Sequence, residues 1–217
     1  MNSNDGAGFD PNCRRCPRLA TYLDEVRAEH PAYHARPVPA FGDAAPRLLI
    51  VGLAPGYHGA NATGRPFTGD YAGILLYETL HALGLASAPA SLHRDDGLTL
   101  SGCRITNAVK CLPPANKPMG EEIRSCNRFL AAEIEELGPE LVVFALGRIA
   151  HDAVLRARGE RLAAWRFGHG AEHTLPDGLV LVDSYHCSRY NTQTRRLTPD
   201  MFMKVTARAA ELAGLGR

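Results

Sequence analysis

Four short apolar runs constrain this chain more than any other feature of its sequence. They are residues 48–52 (LLIVG), 104–109 (RITNAV), 141–146 (LVVFAL) and 179–184 (LVLVDS). Each is rich in Val, Ile or Leu and mostly continuous in apolar character, the pattern of parallel strands covered on both faces. Helical periodicity fills the intervals. Residues 73–83 repeat Ile74, Leu75, Leu80 and Leu83, and residues 121–137 align Ile123, Leu130, Ile134 and Leu137 on one stripe. Residues 148–158 read as another helix, and 199–215 carry Phe202, Val205, Ala209 and Leu212 behind a first-turn proline. Strand and helix alternate, which predicts an α/β layered fold on a parallel sheet. Ligands in such sheets bind beyond the carboxyl ends of the strands. The residues after the first, second and fourth runs are therefore the ones to inspect.

A length of 217 residues fits one domain, 1–217, with core enough to need no staples. Its six cysteines need another reason. The net charge of +1, from 24 basic and 23 acidic residues, does not announce a nucleic-acid binder. Charge does segregate locally: residues 185–198 hold Arg189, Arg195 and Arg196 and no Asp or Glu. The first ten residues lack a signal-peptide pattern, and no stretch approaches a membrane span. The expectation is a soluble cytoplasmic protein, a reducing setting in which cysteines bind metals or clusters more readily than they form disulfides. The proline-rich stretches 30–46 and 113–118 read as ordered loops.

Cys13 and Cys16 form a CRRC pair, and Cys111 and Cys126 lie far downstream. A CxxC pair suits one edge of a four-thiolate site, and zinc and iron–sulfur both remain open on spacing alone. Cys103 and Cys187 read as ordinary packed thiols.

The segment after the first strand, GLAPGYHGANATGRPFTGDYAG, places six glycines in 22 positions. Glycine permits close approach of backbone to a ligand. There is neither a GxxxxGK[ST] loop nor GxGxxG here, which disfavours those two kinds of nucleotide site. The segment also offers His58, Asn61, Thr63, Arg65, Phe67 and Asp70. Asp70 reads first as the N-cap of the helix that starts near Tyr71, and only second as a chemical group. The segment after the last strand, HCSRYNTQTRRLT, begins with His186 in the ligand-facing position. Its Ser188, Asn191 and Thr192 suit phosphate oxygens, and its arginines add charge. Asn107 ends the second strand near the same sheet edge.

These motifs together resemble the uracil-DNA glycosylase superfamily, and most closely its type-b branch, family 5. GLAPGYHGANATGRPFTGD is similar to the branch's first motif and HCSRYNTQTRRLT to its second. ITNAVKC is similar to the base-contacting strand shared with family 4. The resemblance spans Cys13 to about Thr198. It implies an α/β/α three-layer sandwich around a four-stranded parallel sheet. It also implies a [4Fe–4S] cluster on Cys13, Cys16, Cys111 and Cys126, tying residues 1–46 to the rest. The implied partner is DNA carrying uracil or another deaminated base, bound by a monomer with no role for membranes.

The resemblance assigns roles residue by residue. Phe67 stacks on the flipped base, Asn107 reads its Watson–Crick edge, and His186 donates to O2 as charge builds there. Gly52, Leu53, Ala54 and His58 line the base pocket. Ser188, Arg189, Asn191, Thr192 and Arg195 hold DNA, with Arg189 a candidate to fill the vacated space. Ala54 stands where better-known members carry a water-activating Asp or Asn. Asn61 is then the first candidate to hold the water, followed by Asp70 and His58. Ala62 departs from the usual NRTG. A wider base tolerance is expected, and the alternative motivated by Ala54 is a non-catalytic damage binder on the same fold.

Overall fold

The computed structural model describes residues 8–215; the expectation about the first ten residues falls mostly outside them. The four apolar runs form the strands β2 (Leu48–Gly52), β3 (Cys103–Asn107), β4 (Val142–Leu146) and β6 (Val180–Ser184). They pair parallel in the order β3-β2-β4-β6. The sheet has six strands, not four. β1 (Phe41–Gly42) adds antiparallel to β3, and β5 (Glu172–Thr174) adds antiparallel to β6. These edges escaped the sequence reading because two or three half-exposed residues carry no apolar run.

Strand alternation explains why the runs are continuous. Leu48, Ile50, Phe144 and Val182 face one apolar layer, which holds Leu76, Tyr77 and Leu80 of α3 (Tyr71–Ala82) and Phe202 and Val205 of α7 (Pro199–Leu212). Leu49, Val51, Val143 and Leu181 face the other, with Leu130 and Ile134 of α4 (Gly120–Leu137) and Val154 of α5 (Arg148–Ala157). Both faces of the sheet are covered, so each buried Leu, Ile or Phe contributes about 1.5–3 kcal/mol of transfer free energy. Cys103 and Cys187 are fully buried packed thiols, as expected.

Three further helices went unread: α1 (Pro17–Glu29), the four-residue α2 (Ala60–Thr63) and α6 (Arg189–Gln193). The buried face of α1 is Leu19, Ala20, Leu23 and Val26. Leu19 packs with Val109, Cys126 and Phe129, and Leu23 and Val26 pack with Ala35 and Leu112. Arg18 adds a paired contact to Glu122 of α4, Nε to Oε1 and Nη2 to Oε2, both 2.7 Å. Among the described residues no helix is long and apolar enough to cross a membrane.

Candidate active site

A cleft of about 440 Å³ opens beyond the carboxyl ends of β2, β3 and β6, where a doubly covered parallel sheet places its ligands. Leu53 and Ala54 of its wall follow β2, Asn107 is the last residue of β3, and His186 lies just past β6. Phe67, Asp70, Ser188 and Arg189 complete the part foreseen from sequence.

Gly52 does not line the cleft; it makes the wall possible. A Cβ there would stand 2.4 Å from Asn107 Oδ1 and 2.7 Å from the Phe67 ring. Asn107 is nearly buried, and its Oδ1 has no hydrogen-bond partner. An unpaired buried acceptor costs about 1–3 kcal/mol, a cost that a ligand donor relieves. The Phe67 and His186 rings lie 5.9 Å apart with planes tilted by 26°. Protein encloses the His186 side chain on most sides, although part of it meets solvent in the cleft. This desolvation lowers its pKa to about 4, so the imidazole is neutral near pH 7. Its backbone carbonyl accepts from Asn191 Nδ2 at 2.8 Å.

Asp70 occupies the N-cap position of α3, but its side chain caps nothing there. Instead Oδ2 accepts from the Ala60 amide at 3.1 Å. Gly59 lets it in, because a Cβ at that position would sit 1.8 Å from Asp70 Oδ1. Burial raises the Asp70 pKa, against the opposing pull of the Ala60 and Gly56 amides.

Other predicted residues lie elsewhere. Asn61 is fully buried behind the loop, with Nδ2 on the Tyr57 carbonyl at 3.4 Å and Oδ1 unpaired. His58 is exposed, its Nδ1 2.8 Å from the Tyr33 hydroxyl, and it does not line the cleft. The last loop is partly the short helix α6, which uses much of its own polar capacity. Ser188 Oγ accepts from the Asn191 amide, Asn191 holds the His186 carbonyl, and Thr192 Oγ1 bonds back to Ser188 O and Arg189 O. Arg189 stacks 4.8 Å above the Tyr71 ring, and exposed Arg195 has a positive φ of 57°. Tyr71 and Asn116 line the cleft although the sequence reading assigned them no role. The signal for Asn116 was the 113–118 loop, where Ala115 and Asn116 both adopt positive φ.

The family model of the uracil DNA glycosylase superfamily matches residues 39–210. The chain belongs to the uracil-DNA glycosylase superfamily. A type-5 uracil-DNA glycosylase of Thermus thermophilus is 52% identical over 208 residues, covering 94% of each chain. That of Pyrobaculum aerophilum is 44% identical over 207 residues, 94% of this chain and 90% of its own. That of Mycobacterium leprae is 43% identical over 226 residues, 97% and 98%.

A second feature of this superfamily member lies beside α1. Cys13, Cys16, Cys111 and Cys126 line one small apolar cavity with Leu19 and Phe129, and all four are free thiols. Burial pushes the Cys111 thiol up, and thiolate charge on Cys126, Cys13 and Cys16 pushes it further. Burial also raises Cys126, against the Lys110 amide that donates to its sulfur at 3.3 Å. So many desolvated sulfurs suit a cationic guest. Among the described residues these thiols do not gather three donors within 4.8 Å. One tetrahedral zinc ion, with Zn–S near 2.3 Å, needs its sulfurs roughly 3.8 Å apart. Their spacing is wider than such an ion needs.

Proposed function

We infer that this chain is a monofunctional uracil-DNA glycosylase, which hydrolyses the N-glycosidic bond of a flipped nucleotide. The observation that carries this reading is Asn107, a buried amide on the cleft wall whose acceptor is unspent. An amide accepts from N3–H and donates to O4, which suits uracil and not cytosine. Phe67 stacks on the base. As the C1′–N1 bond breaks, its electron pair moves onto the base, and the His186 N–H donates to O2. Water then adds at C1′. No lysine lines the cleft among the described residues, which leaves no amine there for a Schiff-base lyase step.

Among the three candidates to hold the water, Asp70 lines the cleft, whereas Asn61 and His58 do not. We therefore assign the water to Asp70, which Gly59 admits in place of a motif-one carboxylate at Ala54. Arg189 and Arg195 supply charge toward phosphate. Hypoxanthine and other deaminated bases are further substrates in this reading, since Ala54 leaves the wall small.

The test is base release from duplexes with a single uracil or hypoxanthine, read as strand scission after alkali. Asn107→Ala is expected to lower kcat/KM for uracil about 10- to 100-fold, the worth of two hydrogen bonds. Asp70→Asn is expected to lower kcat about tenfold with KM little changed. Uracil release unaffected by Asn107→Ala would overturn the base-reading role. Absence of release by the wild type would favour a damage binder.

We propose that Cys13, Cys16, Cys111 and Cys126 hold a [4Fe–4S] cluster, which supplies a charge-compensating tie between α1 and α4. Anaerobically purified protein is expected to contain iron and sulfide at about four each per chain, and Cys111→Ala to lose both. Stoichiometric zinc on sulfur in their place would overturn it.

A further inference from the structure

A second group of donors lies away from both the cleft and the thiols. His151 of α5, His173 of β5 and Asp183 of β6 each offer one ligand atom, and these atoms all lie within 4.8 Å of one another. His151 and Asp183 are fully buried, and His173 keeps 13% of its side chain exposed at the sheet edge. Asp183 Oδ1 stands 2.8 Å from His151 Nδ1, and Oδ2 stands 3.3 Å from His173 Nε2. Among the described residues no lysine or arginine pairs with this carboxylate; its ionic partners are the two imidazoles.

The far nitrogen of His151 settles which atom faces Asp183. Nε2 lies 3.2 Å from the Trp165 carbonyl, which can only accept, so Nε2 carries the hydrogen. In a neutral imidazole Nδ1 then bears a lone pair, aimed at a carboxylate oxygen. Two acceptors do not sit at 2.8 Å without a cation between them or beside them. A carbonyl accepting from the far nitrogen is also what fixes the tautomer of a metal-ligating histidine. A proton on Nδ1 suits the contact as it stands. A tetrahedral ion with bonds near 2.0–2.1 Å needs donors roughly 3.3 Å apart. His173 Nε2 stands at that spacing from Oδ2, and His151 Nδ1 lies about half an ångström inside it from Oδ1, so a single ion requires the carboxylate to turn until one oxygen serves both histidines.

We propose that His151, His173 and Asp183 form a site for one borderline divalent cation, zinc first, with water as its fourth ligand. Zinc is chosen because two imidazoles and one carboxylate match its preference and not that of magnesium or calcium. The ion pins helix α5 and edge strand β5 to β6 at the residue three positions before His186, and it enters from the open side of His173. The site is distinct from the four-thiol pocket and is independent of the base chemistry.

The experiment adds Zn²⁺ to the purified full chain with its iron in place, removes the excess and measures zinc together with the X-ray absorption of the bound ion. Expected is one zinc per chain, with nitrogen and oxygen scatterers at about 2.0–2.1 Å, and a rise in Tm on zinc addition. His173→Ala and Asp183→Asn are each expected to lose the zinc and the rise. His173 sits on the short outer strand and reaches solvent, so its truncation leaves the inner ladder intact and decides the matter even if Asp183→Asn fails to fold. Wild type that retains no more zinc than His173→Ala, or zinc held at about 2.3 Å by sulfur, overturns the proposal and leaves a proton-bridged pair.

Discussion

His186→Ala is expected to slow uracil release from duplex DNA by about 10²–10³-fold in kcat, the usual cost of removing one donor aimed at developing charge. The loop is held from beneath by the Asn191 amide on the His186 carbonyl, and the ring is set beside Phe67. Those contacts orient the imidazole before substrate arrives. Burial keeps it neutral, so in the proposed mechanism the N–H is offered without a full positive charge, and the donor gains strength only as the base becomes anionic. Single-turnover scission assays measure the effect, and a loss under about fivefold would remove His186 from the chemistry.

The same residue makes a pH prediction with a definite sign. Its folded pKa of about 4 lies below the roughly 6.5 of an unfolded histidine. Between these values the unfolded chain binds the proton and the folded chain does not. Stability therefore falls as pH drops from about 6.5 toward 4 and is insensitive to this group above that window. Histidine NMR titration reads the value directly, and a midpoint near 6.5 would contradict it.

How much of this was legible follows from where each signal resides. The inner strands are buried on both faces, so Leu48 to Val51 and Val142 to Leu146 declare themselves in one dimension. Helix α1 carries a helical pattern in Leu19, Leu23 and Val26, but it is short and broken by the charged residues between them. Asn107 and His186 sit at strand ends that line the cleft, a placement legible because topology fixes where such ends go. Residues inside the glycine-rich segment were not sorted, since its path depends on close approaches that only the folded loop shows. Asn61 turns inward and His58 outward, whereas Asp70 reaches across to Gly59. His151, His173 and Asp183 come from three elements, and no spacing links them before the sheet assembles.

The largest stability effect is expected at a residue that sequence reading left without a role. Arg65 is 4% exposed and ends inside the protein. Its Nε donates to Thr68 Oγ1 at 2.9 Å, Nη1 to the Arg94 carbonyl at 3.2 Å, and Nη2 reaches Ser91 Oγ, His93 O and Asp96 Oδ2, each at 2.6 Å. Tyr77 donates to the Pro66 carbonyl at 2.9 Å. Together they grip residues 65–68, and Phe67 within that turn holds a φ of 55° that a side chain disfavours by about 1–2 kcal/mol. Burial raises the Asp96 pKa, but the Arg65 contact and the Leu98 and Leu92 amides outweigh it and hold the carboxyl well below its usual range. The pair's contribution is thus complete above an unfolded carboxyl pKa of about 4 and is lost as pH falls from there toward the lower folded value. Arg65→Ala leaves the half-buried Asp96 carboxylate and several acceptors without their donor, with an expected loss of about 2–4 kcal/mol in urea unfolding. Arg65→Lys is expected to recover little, because one ammonium cannot reproduce the planar fork. Where the variants still fold, the turn relaxes and uracil release falls with Phe67 displaced. A loss below about 1 kcal/mol would mean that the turn holds Phe67 without its arginine.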